Sequence, residues 1–370
     1  MNESELMKHF FIEILTDTAL SEIKTFIKSQ PESYSLLILA AGLSDEELTL
    51  LDNFCPRSPL PIWGAIFPEI FIDNERKKHG TIIILLPYQV KCTYYSISEY
   101  NSSNKLQEEC LLEKESQGTL FLFYDNVFQT FDGWFEMIYN YYGAENYYFG
   151  GGTGFLERPS LITSGGLKKD GILMAMLPVQ GVIEKRHGWE SCRGPFQVTQ
   201  MQHNNLIELD WRPLSDVLEE DIPEEDSARL SSFSVSELSH QQSYVFGISK
   251  IGGEKLIRTG DYDSETGQIN LKYPLPAGNF VYLMQENLHS MEAAAPLALL
   301  KAKDEMGEKQ VRLSLFFDCA LRLKKLPAKS LEKHFFNKQT IGVISQGQIA
   351  CSGSDYPELL ESTFCIALFH

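Results

Sequence analysis

Apolar positions along the chain form short, nearly continuous runs, and three of these runs begin the same pattern. Each run leads into a helix-length segment, then into a strand that carries glycine, and then into a second apolar run. The three copies run through Leu36–Leu39, Asp45–Phe54, Ile62–Ile66 and Thr81–Leu86; through Leu120–Phe123, Gln129–Tyr142, Tyr148–Gly152 and Ile172–Leu177; and through Leu313–Phe317, Ser330–Asn337, Ile341–Ile344 and Phe364–Phe369. The order predicts a repeated β-α-β unit closed by a further strand.

The opening runs lack the alternation of a half-exposed strand, so both of their faces are expected to be buried. A strand, a helix and a strand in succession favour a parallel pair with a right-handed crossover. We therefore predict an α/β fold with mixed, largely parallel sheets covered by helices and repeated β-α-β units in two coupled domains. The closing strand of each unit is the one that could pair antiparallel.

Between the second and third copies, the pattern of apolar and polar residues changes. Gln197–Gln202 and Leu206–Asp210 alternate around a polar turn, which predicts a hairpin. Tyr244–Met284 reads as further strands, and Glu286–Gly307 reads as a helix that Pro296 could kink. The segment 214–242 is acidic and rich in serine, which is typical of a solvated helix or a linker. It divides the chain into predicted domains at 30–213 and 243–370.

Composition narrows the functional classes. The chain has 370 residues and a formal charge of -18, which disfavours nucleic acid and anionic membrane surfaces as partners. The sequence contains no run of about 20 apolar residues, so no membrane-spanning helix is expected. The seven cysteines include no closely spaced pair, so a disulfide framework or a structural zinc site is not expected, and a reducing cytoplasm fits best.

Common enzyme signatures are missing from the sequence. There is no phosphate-binding G-x-x-x-x-G-K-[ST], no H-E-x-x-H zinc helix and no G-x-S-x-G nucleophile turn. The run Gly150–Gly154 follows a strand, but Pro159 disfavours a helix after it, so a dinucleotide site lacks its anion-binding helix end. Gly150 and Gly151 are explained either by tight backbone packing or by a ligand that approaches the backbone.

The order of several short motifs resembles the FIST (F-box and intracellular signal transduction) family over nearly the whole chain, from about Leu36 to Phe369. The matching motifs are Trp63-Gly64 through Glu69-Ile70, Gly150–Gly152, His187–Trp189, Gly194-Pro195, Val198-Thr199, Leu209–Pro213, Asp318–Arg322 and Gly342–Ile349. Two positions depart from the family: Gln348 stands where relatives have glutamate, and Leu360-Glu361 stands where they have histidine-asparagine. These departures predict a different ligand or an unused part of the pocket.

This resemblance implies a non-catalytic sensory protein that binds a small intracellular ligand, for which amino acids were the early proposal. It also implies a haem-containing subset that senses nitric oxide and regulates a histidine kinase or a cyclic-di-GMP enzyme. Haem is therefore the cofactor, and such a signalling protein the partner, that the resemblance leads us to expect.

Candidate binding residues follow from side-chain chemistry. His187 could ligate haem iron, and Trp189 could stack on a flat cofactor; the alternative is a structural turn. Arg193 and Arg322 could anchor a carboxylate or a haem propionate, or form salt bridges, with Asp318 close to Arg322 in sequence. Cys319 could supply a thiolate or be an inert buried thiol. The predicted site consists of Gly150, Gly151, His187, Trp189, Arg193, Asp318, Cys319, Arg322 and Gln348, with His187 as the metal ligand.

Two other functional classes remain open at the level of sequence. The first is an enzyme that acts on a small anionic metabolite through His187 and Asp318. The second is a scaffold without a ligand, whose acidic segment docks a partner. A pocket with no convergent acid, base and nucleophile would argue against the enzyme.

Overall fold

The first segment of the fold contains the first predicted copy. The computed structural model describes residues 7–96, 117–125, 131–154, 157–221, 243–250, 253–275, 277–327, 329–331, 340–352 and 356–370. The first elements are β1 (His9–Ile12), α1 (Asp17–Lys28), β2 (Ser35–Ala41), α2 (Asp45–Phe54), β3 (Ile62–Phe67), the hairpin β4 (Glu69–Ile72) and β5 (Glu75–Lys77), and β6 (Gly80–Leu86). Ser44 and Glu47 form a capping box that begins α2 at the predicted residue.

The second segment repeats this order. Its elements are β7 (Lys91–Ser96), β8 (Thr119–Tyr124), α3 (Phe131–Tyr142), β9 (Tyr147–Gly152), the hairpin β10 (Leu161–Thr163) and β11 (Gly166–Lys168), and β12 (Gly171–Leu177). In the first segment β2 pairs parallel with β3 and antiparallel with β6. In the second segment β8 pairs parallel with β9 and antiparallel with β12.

An antiparallel sheet is inserted after β13 (Val182–Arg186), the first strand of the third repeat. It is built from β14 (Glu190–Gln202), β15 (Asn205–Leu209), β16 (Arg212–Pro213), β17 (Tyr244–Ile248), β18 (Leu256–Arg258), β19 (Gly260–Asp263), β20 (Gln268–Leu271) and β21 (Phe280–Gln285), with α4 (Leu214–Asp221) after β16. The predicted hairpin is confirmed as β14 and β15, with Gln202 paired to Asn205. The rest of the predicted acidic segment, 222–242, lies outside the described residues.

The third repeat resumes after this sheet. It contains α5 (Leu288–Met306), β22 (Leu313–Cys319), α6 (Ala320–Lys325), β23 (Thr340–Ser345), the pair β24 (Gln348–Cys351) and β25 (Leu359–Leu360), and β26 (Phe364–Phe369). Again β22 pairs parallel with β23 and antiparallel with β26. The predicted helix Ser330–Asn337 falls mostly on 332–339, outside the described residues.

Each repeat gives its hairpin to the sheet of another repeat. The hairpin β4–β5 extends the third sheet through β23, β10–β11 extends the first sheet through β3, and β24–β25 extends the second sheet through β9. The exchange of hairpins links the three repeats in a closed circle, and one phenylalanine from each repeat lies at its centre. The ring centroids of Phe67, Phe123 and Phe317 are 5.6 to 6.0 Å apart.

The prediction of mixed α/β repeats is confirmed, but largely parallel sheets covered by helices are not supported. The described strands have one parallel pairing in each repeat, and strand content (45%) exceeds helix content (23%). Burial on both faces has another cause here. Ile38 of β2 packs with α1 and α2, whereas Leu37 and Leu39 face the sheets of the other repeats. In the first repeat, α1 and α2 thus cover one face of β2, and the sheets of the other repeats cover the opposite face.

No helix in the described part of the chain is long and apolar enough to span a membrane.

Candidate functional site

The turn His187-Gly188-Trp189 connects the edge strand β13 to the inserted sheet. Gly188 has φ +81°, and a Cβ atom there would lie 2.4 Å from the Cα atom of Met291, in the first turn of α5. Only glycine allows the turn to lie this close to the helix. Trp189 is 7% exposed, and its Nε1 donates to Ser362 Oγ at 2.9 Å. The predicted motif is therefore a buried junction between the third repeat and the inserted sheet.

Both ring nitrogens of His187 are engaged. Nδ1 accepts the backbone N–H of Trp189 at 2.8 Å, and Nε2 lies 2.9 Å from Oε2 of Glu254. Because Nδ1 accepts, the proton of a neutral ring resides on Nε2, which faces the carboxylate at 2.9 Å without the geometry of a hydrogen bond. Burial alone would raise the pKa of Glu254, but the close contact and charge of His187, together with Arg186 and Lys255, lower it.

A cavity of about 630 Å³ opens beside this pair, between the third repeat and the inserted sheet. Seven of its fifteen lining residues are charged: Glu184, Lys185, Arg186, Glu254, Lys255, Lys301 and Glu305. Four bases against three acids leave one formal positive charge in a protein of net charge -18. The volume lies within the range of roughly 300 to 1,000 Å³ that is typical of small-molecule sites.

The bases are held in place by neighbours that do not cancel all of their charge. Lys301 Nζ lies 2.7 Å from Glu184 Oε1, and Arg186 Nη1 lies 3.4 Å from Glu254 Oε1. Lys185 Nζ donates to the carbonyl oxygen of Ala350 at 3.0 Å. The ammonium of Lys255 sits 4.7 Å above the ring centre of Tyr282. A polar ligand with an anionic group would find bases already oriented toward the space.

Haem fits this arrangement poorly. An iron ion needs a free nitrogen lone pair, and in His187 one nitrogen accepts a hydrogen bond while the other carries a proton beside Glu254. The charged lining also contrasts with the apolar faces of a porphyrin. Iron ligation by His187 would require Glu254 to move away, and it stays a prediction.

The predicted residues Asp318, Cys319 and Arg322 lie in the interior, outside the lining of the cavity. Arg322 is fully buried, with Nε 2.7 Å and Nη2 2.5 Å from the two carboxylate oxygens of Asp318. Its Nη1 donates to the carbonyl oxygen of Met291 at 2.7 Å. Arg322 thus fixes the first turn of α5, against which Gly188 packs. The thiol of Cys319 is 1% exposed at the end of β22.

The predicted glycines and Gln348 belong to the junction of the second and third repeats. A Cβ atom on Gly150 would lie 2.0 Å from the carbonyl oxygen of Leu122, and one on Gly151 would lie 2.8 Å from that of Gly347. These distances favour close strand packing as the reason for glycine. Gln348 is buried, and its Nε2 donates to Ser345 Oγ at 3.0 Å.

The two departures from the family pattern are neighbours in space. Gln348 pairs with Leu360 across β24 and β25, and Glu361 follows directly. Glu361 is buried and accepts hydrogen bonds from the backbone N–H and the hydroxyl of Thr259, at 3.1 and 2.5 Å. Glu361 thus contacts the inserted sheet, whereas Gln348 bonds within its own repeat.

Arg193 is exposed on β14 and donates to the carbonyl oxygen of Cys192 at 3.0 Å. Of the predicted site residues, the structure brings His187 and Trp189 to the cavity and leaves the others outside its lining. Sequence reasoning missed Glu254 and Lys255. Their only local signal is a position just after the Gly252-Gly253 turn, of which Gly252 lies outside the described residues.

Comparison with protein-family models gives a match over part of the chain. The model of the FIST N domain matches residues 35–212, which run from β2 of the first repeat through the second repeat and β13 to the hairpin of β14 and β15. A search of curated proteins returned no match to this chain.

Proposed function

We propose, starting from the FIST N domain at residues 35–212, that this protein is a non-catalytic cytoplasmic sensor that binds a small anionic ligand in the cavity beside His187. Binding is passed to a signalling partner, such as a histidine kinase or a cyclic-di-GMP enzyme. The association of the FIST domain with signal transduction supports the sensory role. The observation that carries the ligand site is the set of four bases around a space of about 630 Å³.

The position of the cavity supports a reporting role. It is bounded by β13 and α5 of the third repeat on one side and by the segment that carries Glu254 on the other. An anion between Arg186 and Lys255 would compete with Glu254 for these bases. The ligand would therefore change the contacts between the inserted sheet and the ring of repeats, and a partner could detect that change.

Ligand binding is tested by thermal shift and titration calorimetry with a panel of small carboxylates and phosphates. At least one compound should raise the melting temperature of the wild type in a concentration-dependent way. Arg186→Gln and Lys255→Gln should each weaken that compound about tenfold or more, since each removes a charged contact. The matched control Arg57→Gln removes an exposed arginine outside the lining of the cavity and should leave affinity unchanged.

Hemin is tested in the same format, by absorption spectra before and after its addition. A Soret band that His187→Ala abolishes would identify haem as the ligand and overturn the anionic version. Equal affinity of the wild type, Arg186→Gln and Lys255→Gln for every compound would remove the cavity from the proposal.

A further inference from the structure

The turn Asp210-Trp211 displays an indole at the tip of a hairpin. Leu209 pairs with Arg212, so the two residues between them form a two-residue connection from β15 to β16. Their φ angles are +51° and +59°. Two consecutive positive φ angles define a type I′ turn, whose second position is normally glycine. A bulky aromatic side chain at that position is strained.

Hydrogen bonds from β14 hold this strained turn. The N–H of Gln197 donates to Asp210 Oδ1 at 2.7 Å, and the N–H of Asp210 donates to the carbonyl oxygen of Gln197 at 2.9 Å. The N–H of Trp211 donates to Thr199 Oγ1 at 3.0 Å. The indole is nevertheless 73% exposed. The fold thus tolerates backbone strain for a side chain that gains little burial, which points to a role outside the core.

A second exposed ring lies at the same end of the sheet. Phe280, at the start of β21, is 56% exposed and pairs with Gln197. Gln197 therefore lies between Phe280, its partner on β21, and Asp210, which directly precedes Trp211 in the turn after β15. Large aromatic side chains in such positions carry much of the free energy of protein–protein contacts.

The surroundings of the tip are acidic. The helix α4 begins directly after β16 and exposes Asp216, Glu219 and Glu220. The adjacent base, Arg212, is bound by Glu220 through two contacts of 2.9 and 2.6 Å. A second copy of the chain docked on this face would bring two acidic helices together. Charge complementarity favours instead a partner with a basic rim.

We propose that Trp211, Phe280 and α4 form the docking surface for the signalling partner, and that the partner presents an apolar centre rimmed by lysine or arginine. This inference rests on the proposed function, since it supplies the output side of the sensor. The two aromatic rings enter the apolar centre, and the carboxylates of α4 meet the basic rim.

The decisive variant is Trp211→Gly, because glycine relieves the strain of the turn while it removes the ring. The probe is a synthetic amphipathic peptide of lysine and leucine, with a glutamate–leucine peptide as the charge control. The wild type should bind the lysine peptide, more weakly at high salt, and should not bind the glutamate peptide. Trp211→Gly should weaken binding about tenfold or more, with a melting temperature that is unchanged or about 2 °C higher. Leu300→Gln, an exposed apolar residue on α5, should bind as the wild type does.

Several results would overturn the docking surface. They are equal binding of the lysine peptide by the wild type and Trp211→Gly, a lower melting temperature for the variant, or a wild-type dimer that Trp211→Gly converts to a monomer in sedimentation. Trp211→Gly should also leave the ligand response of the cavity intact. If Arg186→Gln loses the response to the cavity ligand but Trp211→Gly binds the lysine peptide as the wild type does, the docking surface is refuted and the sensor is not. If the peptide binds as expected but no compound binds in the cavity, the sensor is refuted and the docking surface is not.

Discussion

The imidazole Nε2 of His187 lies 2.9 Å from Oε2 of Glu254, and this contact joins the end of β13 to the segment between β17 and β18. It ties the third repeat to the inserted sheet at the wall of the cavity. The carboxylate also lies 3.4 Å from Arg186, so a change at Glu254 alters the charge that faces the proposed ligand.

Replacing Glu254 by glutamine should alter stability in a pH-dependent way. The pKa of Glu254 is lowered in the fold, so its contribution is present at neutral pH and is lost as the pH falls below about 4.3 through the lowered value. We expect Glu254→Gln to be less stable than the wild type by about 1 kcal/mol at pH 7, with the difference shrinking toward pH 3. Urea unfolding across this range measures it.

The control for this prediction is Glu265→Gln, which neutralises an exposed carboxylate outside the cavity. It should leave the pH profile of unfolding close to that of the wild type. Parallel profiles for the wild type and Glu254→Gln would contradict a carboxylate that the fold holds in its ionised form.

Gly188→Ala should destabilise the protein more than an equivalent change elsewhere. Its positive φ angle costs an L-residue about 1–2 kcal/mol, and the new methyl group would also lie 2.4 Å from the Cα atom of Met291. Gly143 is a matched control, because its φ is +74° and a Cβ atom added there would have no neighbouring atom within 4 Å. Equal losses of unfolding free energy in Gly188→Ala and Gly143→Ala would show that the turn can move away from α5.

The sequence predicts the repeats well because each depends on local signals. The apolar run of β2, the capping residue Ser44 and the glycine of β3 lie within a few dozen residues of one another. It cannot predict the exchange of hairpins, because the partner of Ile70 is Val343, more than 250 residues away. Nothing local in β4 distinguishes the edge of its own sheet from the edge of another.

The candidate site likewise combines residues with a local sequence signal and residues that meet only through long-range contacts. His187 and Trp189 can be singled out because they form one contiguous motif with Gly188. Glu254 is 67 residues from His187, and the two meet only because the inserted sheet returns to the start of α5. The spacing of four residues between Asp318 and Arg322 is enough to predict a salt bridge as one alternative, but their complete burial depends on α5 packing above them.

Asp125 should make the unfolding free energy fall as the pH rises from about 4 to 6. Burial raises the pKa of Asp125 to about 6, although the backbone N–H of Gly171 and the hydroxyl of Ser160 donate to its carboxylate. The folded chain then binds a proton more tightly than the unfolded chain in this window, at a slope of up to about 1.4 kcal/mol per pH unit. Asn at this position can accept from Gly171 and donate to Ser160 Oγ, so Asp125→Asn should remove that slope.

Chemical unfolding at several pH values checks this prediction, with Asp261→Asn as an exposed control. The control should keep the wild-type slope between pH 4 and 6. If Asp125→Asn keeps it as well, the titrating group lies elsewhere.

A fragment that ends at residue 213 should fail to fold alone, although it contains the whole matched FIST N domain. It would lose β23 as the partner of β4, β24 as the partner of β9, and β26 as the partner of β13. Three strand edges and the faces around Phe67 and Phe123 would be exposed, which favours aggregation over a native state. The fragment 1–213 should therefore show poor amide dispersion in NMR spectra and bind a hydrophobic dye, whereas mixing it with 214–370 should restore the spectrum of the full chain. A cooperative unfolding transition and dispersed spectrum for 1–213 by itself would mean that the predicted boundary at 213 separates two independent domains and that the hairpin exchange contributes little to stability.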